Sequence, residues 1–150
     1  MREFKFRVWD KTNEKMFTAM ISFNLDDGVH SCTFISNYGD EITSDIKDLV
    51  IMQFTGLLDK NGKEIYEGDI LKSSGEIKLQ LSEFPKEIYS PYWELSEVVF
   101  HKGAFMRIIR AQENSWFGKI PSDPQKIFNP EEHEEIVGNV YETPELIKNC

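Results

Sequence analysis

A mainly β chain, built as a small barrel or sandwich with short helical trimmings, is the fold class this sequence predicts. Three observations carry it. Apolar and polar residues alternate over many short stretches, the signature of half-buried strands. About nine such stretches follow one another at close spacing, with turn formers between them. No stretch keeps a helical period for longer than about two turns.

In order, Phe4, Phe6 and Val8 share one face against Glu3, Lys5 and Arg7, which predicts a first strand. The polar run 10–15 turns the chain, and Met16 to Ile21 returns as a second strand. Asp26-Asp27-Gly28 breaks it again before a strand over 29–35, and Asn37-Tyr38-Gly39-Asp40 makes another turn. Ser44-Asp45 is set to cap a short helical turn over 46–49, since a Ser or Asp oxygen accepts free amide protons there. Val50 to Thr55 is β-branched and aromatic, Gly56 allows a bend, and Asp59-Lys60-Asn61-Gly62 is a hairpin signal. Two short strands follow, at Glu64-Ile65-Tyr66 and Ile70-Leu71-Lys72. Ser73-Ser74-Gly75 reads as a turn into the alternating Ile77, Leu79 and Leu81.

Residues 82–97 read as irregular, holding Pro85, Pro91, Tyr89, Tyr92 and Trp93. Residues 97–101 and 104–111 read as strands around a tight Lys102-Gly103 turn. The three prolines of 112–135 predict a long loop with at most a short helix. Residues 136–141 form the last strand, and Thr143-Pro144 opens a short C-terminal helix with Thr143 as cap and Pro144 at the first position.

Composition narrows the function classes. With 13% aromatic residues in 150, the chain is too apolar to be disordered, and no run approaches the roughly 20 apolar residues of a membrane helix. Two cysteines cannot form a disulfide framework, and Met1-Arg2-Glu3-Phe4-Lys5 is too charged for a signal peptide, so a cytoplasmic protein is expected. A net charge of −9 repels a phosphate backbone at long range and disfavours non-specific nucleic-acid binding. Arg107 and Arg110, three apart on a strand, point to opposite faces rather than forming a basic patch. The acidic run Glu131-Glu132-His133-Glu134-Glu135 reads as a solvated loop.

Three segments together resemble a known family. The opening Arg2–Asp10 (REFKFRVWD) with Met16, the run Met52–Ile70 (MQFTGLLDKNGKEIYEGDI) and the run Ile136–Leu146 (IVGNVYETPEL) are similar, in that order, to the opening, central and closing motifs of the phage-encoded YopX family. Val98-Val99-Phe100 and Gly103-Ala104-Phe105 add weaker matches. The resemblance implies a mainly β fold with SH3-like barrel elements, phage or prophage origin, and a bacterial cytoplasm. It implies no reaction and carries over no catalytic residue. A single YopX-like unit over 1–150 is expected, with an N-terminal β lobe of about residues 1–48 and a barrel lobe of about residues 49–150.

The residues offer few chemical sites. Asp59, Glu64, Glu67 and Asp69 form the densest acid cluster, and oxygen ligands of this kind suit a divalent metal in a hydrolase. The calcium-loop pattern needs glycine at its sixth position, whereas Gly62 falls fourth from Asp59. Turn acids accepting their own backbone amides explain the cluster better. His30 and Cys32 share a strand face but lack the further ligands a zinc site needs, and no phosphate-binding glycine motif occurs. No catalytic, metal or cofactor site is therefore assigned. The aromatics Tyr92, Trp93, Trp116 and Phe117, expected on loops, are the candidate partner-binding residues. The chain reads as a non-enzymatic module that binds a protein or assembles with itself; a nucleic-acid-binding barrel and then a metal-dependent hydrolase are the alternatives.

Overall fold

The computed structural model describes residues 5–18, 21–24, 31–35, 39–79, 88–113, 123–127 and 130–148. The chain is mainly β, as predicted, and is made of curled antiparallel sheets. It divides into two compact units: residues 1–56 with 64–67, and residues 57–63 with 68–150. Among the described residues no helix is long and apolar enough to cross a membrane.

The first unit opens with β1 (Phe6–Asp10), whose alternation sends Val8 and Asp10 inward. It pairs antiparallel with β2 (Lys15–Thr18) on one side and β6 (Leu49–Leu58) on the other, and β7 (Glu64–Tyr66) completes the order β2-β1-β6-β7. A three-stranded sheet holds β3 (Ile21–Asn24), β4 (Ser31–Ile35) and β5 (Glu41–Asp45) in that order. Thus the expected strand over 16–21 ends at Thr18, and Ile21 starts a strand of a different sheet. The β5 strand, absent from the sequence reading, takes its place through Thr33–Thr43 and Phe34–Ile42 pairing with β4. Cross-strand contact on a sheet stabilises such a segment where propensity alone is weak. The expected helical turn is present as a 3₁₀ turn over Ile46–Asp48, with Asp45 accepting the Lys47 N–H at 3.1 Å. Val8, Cys32, Phe34 and Leu49 form the core, with Phe17, Ile42, Ile46 and Ile51 against it.

The second unit is a five-stranded sheet of order β11-β10-β9-β8-β12. Its members are β8 (Asp69–Leu79), β9 (Ile88–His101), β10 (Ala104–Glu113), β11 (Gln125–Lys126) and β12 (Glu134–Asn139). The tight turn between β9 and β10 has φ of 49° at Lys102 and 84° at Gly103, the two positive angles that match the twist of paired strands. Two short helices, α1 (Pro130–His133) and α2 (Glu145–Lys148), flank β12. The Thr143 hydroxyl is used differently from the expected cap: it accepts the Asn139 N–H at 3.0 Å and donates to the Asn139 carbonyl at 3.1 Å.

Two expectations in this unit are corrected. Ser73-Ser74-Gly75 is no turn but the middle of β8, because Ser73 pairs with Glu94 on one side and Glu134 on the other. Gly75 sits opposite Tyr92, whose ring lies 3.0 Å from where a β-carbon would stand. Residues 88–97, read as irregular, belong to the 14-residue β9. Pro91 is tolerated there because it lies beyond Trp93, where β10 pairing ends, and faces β8 alone among the described residues.

Truncating Phe34 tests the first unit's core, since its ring is fully buried and lies 4.8 Å from that of Phe17. Phe34→Ala is expected to cost about 3–5 kcal/mol in urea denaturation. A loss under about 1 kcal/mol contradicts this packing.

Candidate functional site

Of the four candidate aromatics, Tyr92 and Trp93 occupy strand positions rather than loops. Tyr92 and Trp93 are half-buried neighbours on β9, so the pleat sends their side chains to opposite faces. They do not converge on one surface. Trp116 and Phe117 lie outside the described residues. The same strand carries Tyr89 at 53% exposure and, at its far end, Phe100 at 52%, the latter in an edge-on pair with Phe105 at 5.1 Å. Tyr89 stood in the aromatic run read from the sequence, while Phe100 was visible there only as a strand residue.

The acid cluster resolves into separate structural roles. Asp59 is 2% exposed, and its Oδ1 accepts the N–H groups of Asn61 at 2.8 Å and Lys63 at 2.9 Å. Its Oδ2 accepts the Ile136 N–H of β12 at 3.1 Å. Burial pushes this carboxyl up, but the hydrogen bonds from Lys63, Ile136 and Asn61 outweigh it and hold the group below its ordinary value. The turn itself closes through Asp59 N–H to the Lys63 carbonyl at 2.8 Å, with Gly62 supplying the φ of 76°. Glu64 accepts from Lys5 Nζ at 2.5 Å and from the Tyr66 hydroxyl at 2.7 Å. These two bonds, the Lys5 one foremost, hold its carboxyl below the ordinary glutamate value despite burial. Asp69 is 1% exposed and accepts from Asn139 Nδ2 at 3.3 Å. Glu67 lends its backbone, donating to the Gln53 carbonyl and accepting from Arg7 Nη2.

Asp10 repeats the Asp59 design. It is 1% exposed and accepts from the Thr12 and Asn13 amides and from Asn13 Nδ2. Its carboxyl also sits below the ordinary value, as those bonds from Asn13 and Thr12 overcome the upward push of burial. Among the described residues no three His, Cys, Asp or Glu side chains are placed to share a metal ion. Cys32 is buried in the first unit's core, which pushes its thiol up, and His30 and Cys150 lie outside the described residues.

One polar group escaped the sequence reading. Glu134 belongs to the acidic run expected as a solvated loop, yet its side chain is only 3% exposed. Arg107 Nη1 donates to Glu94 and, at 2.9 Å, to Glu134, so one guanidinium holds two carboxylates. Arg110 points to the other face as expected and pairs with Glu97. The neighbours Glu135 and Lys60 pair at 2.6 Å. Nothing local in the sequence marks Glu134, because the arginine that draws it inward lies 27 residues away.

The Asp59 arrangement makes a testable demand. Asp59→Ala leaves the amides of Asn61, Lys63 and Ile136 without their acceptor and is expected to cost about 2–3 kcal/mol in urea denaturation. A carboxyl depressed on folding adds stability above the ordinary aspartate range, and that stability fades as pH falls through the depressed value. Asp59→Asn is therefore expected to lose part of the wild-type acid sensitivity. An unchanged acid transition contradicts the assignment.

The segments that resemble a family touch one another through these contacts. Lys5 and Arg7 of the opening segment reach Glu64 and the Tyr66 ring, the latter at 4.8 Å. Asp59 and Gly68 of the central segment bind the amides of Ile136 and Val140 in the closing one. Comparison with known proteins agrees. No curated protein matches the chain at a significant level. The crystal structure of protein EF1440 from Enterococcus faecalis is similar in fold, with a TM-score of 0.55 and 22% identity over 99% of this chain and 100% of that one. The family model described as YopX protein matches residues 5–148, which takes in every residue that makes these contacts, and the chain belongs to the YopX family.

Proposed function

We propose that this chain is a non-enzymatic accessory module of phage or prophage origin, acting in the bacterial cytoplasm by binding a protein or a second copy of itself. The observation that carries the reading is β9, which presents Tyr89 near one end and Phe100 near the other, on opposite faces of the strand and each about half exposed. Exposed aromatics on a rigid strand bury large apolar area on binding at little entropic cost, which is why they concentrate at protein interfaces. The use of Asp59, Glu64 and Asp69 in turns and strand contacts supports the same reading, since these carboxylates already have donors.

The second unit is taken as an SH3-like barrel element, supported by the β8-β9-β10 meander with β12 returning to the free side of β8. Small barrels of this kind present peptides and partner strands with a ready surface.

A tagged pull-down from a host carrying the protein, run with and without nuclease and read by mass spectrometry, tests the reading. A stoichiometric protein that survives nuclease is expected, and Tyr89→Ala or Phe100→Ala should weaken its binding by about tenfold or more. Capture of nucleic acid alone, or full binding by both variants, overturns the assignment of β9.

A further inference from the structure

Glu134 opens β12, the strand at one edge of the five-stranded sheet. It stands in a row with Ser73 of β8 and Glu94 of β9, and directly paired residues share a face of a sheet. Two carboxylates are thus aimed at one patch, where Arg107 Nη1 from β10 serves both. The side chains of Glu134, Glu94 and Arg107 are 3%, 12% and 19% exposed. Two negative groups therefore share one positive group out of water. In addition, Glu134 Oε2, Arg107 Nε and the nearby Ser96 Oγ are buried without a hydrogen-bond partner.

Among the described residues, only the exposed His133 of α1 adds a favourable charge beside that of Arg107, and it is the smaller of the two. Lys72 of β8 is one residue from Ser73 and so lies on the opposite, exposed face. From the turn at 59–63, Lys60 is paired with Glu135, and Asp59 spends its carboxylate on backbone amides. On α1, His133 is exposed and lies 3.4 Å from Glu132. A buried anion with one oxygen unpartnered is far costlier than a neutral carboxyl in the same place.

We propose that Glu134 is a carboxylic acid in the folded protein, and that the Glu94–Arg107–Glu134 cluster is a proton-dependent latch that holds β12 on β8 and releases it as pH rises. With Glu134 neutral, Arg107 and Glu94 balance in charge while Arg107 still donates to Glu134 Oε1. When the proton leaves to solvent, two like charges face each other across Ser73. As an edge strand β12 pairs with β8 alone among the described residues, so it can part without separating any other strand pair, once its bonds to Asp59 and Lys60 of the 59–63 turn also give. Burial pushes the Glu134 carboxyl up in spite of Arg107, in keeping with this. A group whose proton is held more tightly when folded adds stability at low pH, and that stability is lost as pH rises through its folded value.

Hydrogen exchange at the Ile136–Asn139 amides, corrected for intrinsic rates from about pH 4, near the ordinary glutamate value, up to about pH 8, tests the latch. Protection in the wild type is expected to fall by about tenfold or more over that range, the effect of one unit of differential proton affinity. Glu134→Gln, which mimics the neutral acid, should stay flat. Glu94→Gln, which leaves Arg107 a single carboxylate partner, should flatten the profile as well and serves if the first variant does not fold. Flat wild-type protection, or a wild-type slope in either folded variant, overturns the proposal.

Discussion

A buried carboxylate must find donors, and the second unit is arranged around the one at Asp59. Its oxygens take three backbone amides, two from its own turn and one from Ile136 of β12, far along the sequence. Leaving such a charge unpaired out of water costs several kcal/mol, so the tight turn and β12 must both be delivered to it. The turn follows from Asn61-Gly62 chemistry, and the position of β12 follows from pairing with β8. The Lys60 N–H to the Glu134 carbonyl and the Lys60–Glu135 pair secure the same strand from the same turn. Asp10 performs the local half of this task at the β1–β2 turn.

This constraint gives the family signature a physical meaning. The central segment carries the donors and acceptors that reach the other two, and it contributes residues to each compact unit. In the first unit, Glu64 takes Lys5 and the Tyr66 ring takes Arg7. In the second, Asp59, Gly68 and Asp69 take Ile136, Val140 and Asn139. Gly138 belongs to the same set, because a β-carbon there would stand 2.0 Å from the Thr143 hydroxyl that bonds Asn139. A motif made of such contacts is a folding framework, whatever the chain binds.

What the sequence revealed was what local chemistry decides. The Asp45-capped turn, the Asp59–Gly62 turn and the Lys102–Gly103 hairpin each depend on residues within a few positions, and each is present. What it concealed depends on partners far away. Ser73-Ser74-Gly75 has turn composition, yet pairing with β9 and the Tyr92 ring over Gly75 hold it extended. Residues 88–97 look irregular because of Pro91, until β8 is seen to need a partner that long. Glu134 looks solvated within its charge run, and only Arg107 from another strand explains its burial. The candidate aromatics are legible in the sequence as residue types, but the strand pairing that sends Tyr92 and Trp93 to opposite faces is not.

The most direct measurement is an NMR titration of the Asp59 carboxyl carbon from neutral pH downward, repeated with magnesium present. The account predicts a midpoint below the ordinary aspartate value and a signal that magnesium leaves in place, because the carboxylate is already filled by backbone amides. A midpoint at or above that value, or a signal displaced by magnesium, would contradict the central claim and return Asp59 to the list of chemical sites.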